Sequence, residues 1–298
     1  MDVALRRKLT RASVISAITV VVGVLIVAGL VYYRQRARMH VVLIHAGRFH
    51  MGPATGDNAH EVTLTQDFFL STTEVTQWQF VQIMGFNPSK QPKNKRESWR
   101  DPIGWLRGVC WNDPVVNVSW GEAIEFCNRL SDREDLEVCY EKAGGEWEYF
   151  HDRLGYRLPT AAEWEYACRA GSTSNYSFGD DAARLEDFAW YGTNSGGTTH
   201  EVATKLANAW GLYDMHGNAW EWCWDWLWTS SSDLGFGTDP RGPESGDARV
   251  VRGGAMNWSA ESCSAFFAIG YVPTDHPPNV GFRVARGIPR KNRKTKAL

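Results

Sequence analysis

One long apolar run, Val14–Tyr32, places 19 uncharged and mostly hydrophobic residues in succession, enough to cross a bilayer as a helix. It ends in Tyr-Tyr-Arg-Gln-Arg, an aromatic and basic anchor, where a cleaved signal peptide would have a shorter apolar core followed by small residues. The run is read as an uncleaved signal-anchor over 13–33, preceded by a short cytoplasmic segment (1–12) and followed by a basic linker (34–40). Beyond it, Val41–Met51 and Val62–Leu70 read as strands, with period-two alternation clear from Val62 onward. Three helices follow, each opened by a capping box: Thr76-Gln-Trp-Gln79, Ser119-Trp-Gly-Glu122 and Thr160-Ala-Ala-Glu163. In each the hydroxyl accepts the third amide while the Gln or Glu reaches back. Gly85 and Gly171 supply left-handed stops. The helix after Ser119 sets Ala123, Ile124, Cys127 and Leu130 on one face, and the helix after Thr160 does the same with Trp164, Ala167 and Cys168. From Thr173 to Thr204 no period is sustained, which predicts ordered surface loops. Arg249–Ala255 and Gly281–Ala285 read as a closing strand-and-turn pair, and 288–298 as a solvated basic tail.

The same pattern is densest at Asn208–Trp228, NAWGLYDMHGNAWEWCWDWLW, where six of 21 residues are Trp. Each such ring removes on the order of 150–250 Å² from water when buried, so this stretch must lie in a core. Asp214, Asn218, Glu221 and Asp225 then sit where that core meets oxygen-lined turns, a structural hub able to take a hard cation. Fifteen Trp in 298 residues, with few Leu-rich amphipathic helices, predict a loop-rich α+β domain over 41–287 whose aromatics fill irregular space. A net charge of −2 excludes any general reason to expect nucleic acid as a partner. Basic residues before the span (Arg6, Arg7, Lys8, Arg11) slightly outnumber those after it (Arg34, Arg36, Arg38), which favours an inside N-terminus and an extracytoplasmic domain. Six cysteines suit disulfides in such a compartment, but none forms a Cys-x-x-Cys, none has zinc spacing, and their pairing is open.

The segments EVTQWQF (74–80), PVVNVSWGEAIEFCNRLS (114–131), RLPTAAEWEYACRAG (157–171), NAWGLYDMHGNAWEWCWDW (208–226), VVRGGA (250–255) and NVGFRVAR (279–286) together resemble the sulfatase-modifying-factor family, whose namesake is the formylglycine-generating enzyme. The resemblance runs from about Val41 to Arg286 and implies a C-type-lectin-like α+β fold. The namesake oxidises a substrate cysteine with copper held by two cysteines, because soft Cu(I) requires thiolates. Here the second of those positions is Cys263, but the first is Trp258. An accompanying serine falls on Ala255 and a tyrosine on Ser262. Trp cannot be a thiolate ligand, so copper and formylglycine generation are not expected.

The resemblance also implies calcium at the hub, held by Asp214, the carbonyls of Gly217 and Ala219, and Glu221. Calcium takes about 6–8 oxygens of these kinds. The competing reading has Asp214 and Asn218 capping the turn while Glu221 pairs with an arginine such as Arg283. At the family's second calcium site stands Ala189-Trp190-Tyr191, without the usual Asn. His216 reads as a hydrogen-bonding turn residue, Cys263 as a buried thiol or disulfide, and Glu163 as spent on its cap.

Met256–Pro278 differs from the stiff motifs around it. Trp258, Phe266, Phe267 and Tyr271 with Asp275 and His276 suit recognition of a protein or glycan. The expectation is a membrane-anchored, calcium-stabilised, non-catalytic binding or scaffold domain. The alternative is a divergent metal-dependent oxidoreductase acting on a thiol.

Overall fold

Each of the two apolar runs that open the domain folds as two strands, not one. This computed structural model describes residues 19, 20, 23, 38–54, 59–89, 110–227 and 237–288. The run Val41–Met51 becomes β1 (Val41–Ile44) and β2 (Gly47–Met51), and Val62–Leu70 becomes β3 (His60–Leu64) and β4 (Phe68–Ser71). β1 pairs antiparallel with β4, and β2 with β3, in separate sheets. The Asp67 carboxylate stitches the two kinks together, taking the Ala46 amide at 2.8 Å and meeting His45 Nδ1 at 3.2 Å. The kinks let one pair of runs serve two layers.

All three capping boxes form as predicted, at Thr76/Gln79, Ser119/Glu122 and Thr160/Glu163. They open α1 (Gln77–Met84), α2 (Trp120–Arg133) and α3 (Ala161–Arg169). Gly85 ends α1 in the left-handed region, but α3 ends at Ala170 (φ 47°), one residue before the predicted Gly171. Ala123, Ile124, Cys127 and Leu130 are buried along α2, and Trp164, Ala167 and Cys168 along α3. The hairpin β5 (Tyr140–Ala143) and β6 (Glu146–Tyr149) and the short β7 (Tyr156–Arg157) lie between α2 and α3. The expected loops of 173–204 contain one short helix, α4 (Leu185–Phe188), after a 3-10 turn.

The hub strand β8 (Trp220–Trp226) lies inside the sheet β11-β10-β8-β12, with β10 (Arg249–Arg252), β11 (Ala268–Tyr271) and β12 (Val280–Gly281). Trp220, Glu221, Trp222 and Cys223 are all buried, so both faces of β8 are covered although its sequence alternates Trp with Glu, Cys and Asp. The predicted strand 281–285 is divided between β12 and β13 (Ala285–Gly287), and β13 inserts between β4 and β7. Between them Phe282–Val284 bond to Ser71 and Val75 instead. The remaining small sheet joins β3 to β9 (Gly237–Thr238) in parallel.

The chain divides into two units, Met1–Met39 and His40–Leu298. In the first, the predicted membrane span 13–33 lies outside the described residues except Thr19, Val20 and Gly23, which are helical. Among the described residues no helix is long and apolar enough to cross a membrane. The basic tail lies outside the described residues after Ile288.

Candidate functional site

The hub turn is wired by its own polar side chains. The Asn208 amide donates to the carbonyls of Ala167 (2.8 Å) and Cys168 (3.1 Å), and its Oδ1 accepts from the amides of Trp210 and Leu212. Asp214, Gly217 and Asn218 all have positive φ (57°, 83° and 61°). A Cβ on Gly217 would lie 2.3 Å from the Trp190 carbonyl, so only glycine fits there. Asn218 Oδ1 accepts from the His200 amide at 2.9 Å, while its Nδ2 donates to Glu74 Oε2 at 2.9 Å.

Under this turn lies a buried charge cluster of Glu74, Asp214, Glu221 and Arg283, each between 0% and 2% exposed. Arg283 grips Glu221 bidentately, Nε–Oε2 2.6 Å and Nη2–Oε1 2.7 Å, and Trp164 Nε1 donates to the same Oε2 at 2.7 Å. Glu221 is thus engaged by the arginine that the competing reading named. Asp214 Oδ2 accepts from the Ala203 amide at 2.8 Å, while its buried Oδ1 has no hydrogen-bond partner. Burial pushes the Asp214 carboxyl up to about 6, against the pull of the Ala203 amide and Arg283. Burial, then the charges of Asp214 and Glu221, hold Glu74 well above the usual carboxylate range. Glu74 was missed in the sequence, although its partners Asn218 and Ala219 lie in the best-marked motif.

When ionised, the three buried carboxyls outnumber the one guanidinium, and the donors are all oxygen. That chemistry, with the orphaned Asp214 Oδ1, fits a hard cation. Among the described residues no three His, Cys, Asp or Glu side chains gather as a ligand cluster, so a cation there would also need backbone carbonyls such as those of Gly217 and Ala219. At the second family position, Asn194 ties the loop, donating to the Ala189 carbonyl and accepting from the Tyr191 amide, each at 2.9 Å.

Cys263 ends a 3-10 turn (Glu261–Cys263) and is wholly buried in a small cluster with Tyr176, Leu185 and Ala189. Burial pushes its thiol up to about 12, despite a bond from the Ala255 amide. With no metal beside it, such a thiol stays protonated at neutral pH and is a poor nucleophile. Its carbonyl accepts from His216 Nδ1 at 2.8 Å, and His216 Nε2 accepts from the Ser177 amide at 3.2 Å and its hydroxyl at 3.0 Å. The imidazole is therefore neutral with its proton on Nδ1, and burial depresses it to about 4. His216 is a tie between three loops. Glu163 is spent on its cap and on a bidentate pair with Arg157 (2.6 and 2.7 Å).

Of the predicted ligand face, the structure gathers Trp258, Phe267 and Tyr271 along β8. Trp258 meets Trp220 edge-on at 5.3 Å, Phe267 lies 6.1 Å from Trp220, and Tyr271 meets Trp222 at 6.2 Å. All three are half-buried, whereas Trp220 and Trp222 beneath them are fully covered. Phe266 is half-buried, and its carbonyl takes Arg252 Nη1 at 2.7 Å. Asp275 and His276 lie on an exposed strap to the start of α2, where His276 Nε2 meets Glu122 at 3.1 Å and the Trp120 amide donates to the Pro273 carbonyl. A separate cleft of about 330 Å³ contains none of these residues. Its Arg157 is paired with Glu163, and its Arg153 with Glu137 and Glu141.

These features define a loop-rich α+β domain of small sheets organised on a tryptophan strand. The chain belongs to the family of sulfatase-modifying factor enzyme 1-like domains, whose model matches residues 28–288. It is 29% identical over 278 residues to the chaperone protein LppX of Paenibacillus barcinonensis, covering 83% of this chain and 89% of that one. It is 32% identical over 204 residues to the formylglycine-generating enzyme of Streptomyces coelicolor, covering 63% of this chain and 57% of the enzyme. Among solved structures it is similar to Treponema denticola variable protein 1, at TM-score 0.73 and 34% identity over 83% of this chain and 95% of that one.

Proposed function

We propose that the chain is a membrane-anchored binding or scaffold domain, stiffened by calcium at its hub and without copper-dependent formylglycine-generating activity. The observation that carries this reading is the pair of residues at the two copper positions. Trp258 packs its ring against Trp220, and Cys263 is a sealed, protonated thiol. Cu(I) chemistry needs a pair of thiolates, and Trp258 cannot supply one. What the segment offers instead is a set of half-buried rings on a rigid strand, suited to a protein or glycan partner. In this reading the hub residues Asp214 and Glu221, with the Gly217 and Ala219 carbonyls, hold calcium. The metal's part is to neutralise the buried carboxylates and fix the turn beneath the aromatic face. The domain would then lie outside the cytoplasm, on the far side of the anchor.

The test is thermal unfolding of the domain with added calcium and with chelator. The reading predicts a melting temperature that falls on chelation, and an Asp214→Ala, Glu221→Ala variant indifferent to either condition. A parent protein as indifferent as the variant would refute the calcium site. Turnover of a cysteine peptide with oxygen uptake would favour a divergent oxidoreductase instead.

A further inference from the structure

We propose that Cys127 and Cys139 form a disulfide when the chain folds in an oxidising environment. Cys127 lies on the buried face of α2, and Cys139 immediately precedes β5. The residues next to each are clamped together: Asn128 Nδ2 donates to the Tyr140 carbonyl at 2.7 Å, and the Tyr140 amide donates to Asn128 Oδ1 at 3.3 Å. A second bracket holds the other side. Ser131, one turn along the same helix face, donates from Oγ to the Cys127 carbonyl at 2.8 Å and accepts the Tyr156 amide at 2.7 Å. Ser131 also presses on Gly155, where a Cβ would fall 2.7 Å from its Oγ. The Gly155 carbonyl in turn receives the Cys139 thiol at 3.4 Å. Two brackets of hydrogen-bond length thus hold the helix and the strand start against each other beside the two thiols, which are free in this structure; the bond would require their Cα atoms to lie about 4.4–6.8 Å apart.

Three of the other four cysteines lie in different surroundings. Cys168 and Cys223 meet the carbonyls of Met215 and Glu221, and Cys263 meets the Ala255 amide. Burial raises both proposed partners, Cys139 to about 11, and the neighbouring Cys139 raises Cys127 further. The folded core is therefore closed to exchange, and the bond must form before α2 and β5 finish packing. Closure takes one hydrogen from each thiol and makes the Sγ–Sγ bond. The two electrons and two protons reduce a small-molecule disulfide oxidant, such as oxidised glutathione, to two thiols.

The experiment is refolding of the full-length chain in detergent with oxidised glutathione, followed by alkylation, digestion without reductant and mass spectrometry. The expected product is a Cys127–Cys139 linked peptide. The linked protein should melt about 6–12 °C above the same protein refolded with reductant, from closure of a loop of this length in a domain of this size. A Cys127→Ser, Cys139→Ser variant should lose that difference. Peptides in which both cysteines are alkylated, or either is linked elsewhere, would overturn the proposal, as would equal melting of the oxidised and reduced parent. Because the peptide map uses the parent chain and no calcium, it stands apart from the test of the hub.

Discussion

Replacing Arg283 with Met removes the guanidinium that, among the described residues, faces a cluster of three buried carboxyl groups. The structure sets the scale of the damage. Arg283 supplies two bonds to Glu221, one to the Ser71 carbonyl (3.2 Å) and one to the Tyr213 carbonyl (2.9 Å), and all of its side chain is buried. Stranding one partner of a buried ion pair costs about 3–5 kcal/mol. Two carbonyls losing their donor add about 1 kcal/mol each or less. A loss near 5 kcal/mol is a large share of an ordinary domain stability of about 5–15 kcal/mol. It corresponds to a melting temperature lower by about 10–20 °C in a domain of this size. The assay is urea unfolding of Arg283→Met, Glu221→Gln and the double variant, all in chelator so that no cation compensates. The double variant no longer strands a charge at Glu221 and should recover about 2 kcal/mol of the loss. An Arg283→Met protein within about 1 kcal/mol of the parent, or a double variant no better than the single, would refute the charge account of the hub.

Two further outcomes follow from other parts of the core. Burial raises Asp225 to about 7, against the Ala161 amide and Arg252, so the folded state keeps a proton that the unfolded chain releases from about pH 4 upward. Stability should therefore decline as pH rises from about 4 through 7; Asp225→Asn keeps an acceptor for Ala161, lacks that decline and should exceed the parent at pH 8, and parallel profiles by urea midpoint would count against it. Gly254 has φ 79°, and a Cβ there would lie 2.5 Å from Cys263 Sγ and 2.9 Å from its Cα. Gly254→Ala should cost about 2 kcal/mol or more in chemical denaturation, and a loss under about 0.5 kcal/mol would mean that the Cys263 turn is looser than its packing implies.

The features legible in the sequence are those whose physics is local. Each capping box closes over three residues, so Thr76, Ser119 and Thr160 announce their helices without tertiary information. The kinks at His45–Ala46 and Thr65–Asp67 were not legible, because the residue that ties them, Asp67, acts on Ala46 from 21 residues away. Glu74 was invisible for the same reason: its partner Asn218 is 144 residues along the chain. At Trp258 and Cys263 the reverse holds. Side-chain chemistry alone shows that Trp258 is not a thiolate, and the structure adds that its ring is packed on Trp220 and that Cys263 is sealed. For Glu221 the sequence left a choice between a cation and Arg283. The bidentate pair shows that the arginine is one partner, while the orphaned oxygen of Asp214 keeps the cation reading in play.

The central claim is that this domain binds and does not catalyse copper-dependent oxidation. The most direct measurement is elemental analysis of the protein purified without added metal and then equilibrated with Cu(I) and calcium, paired with oxygen uptake on a cysteine peptide. Calcium bound near one per chain, copper far below one, and no uptake above background is the predicted result. Copper or iron at one per chain with turnover of the peptide would contradict it.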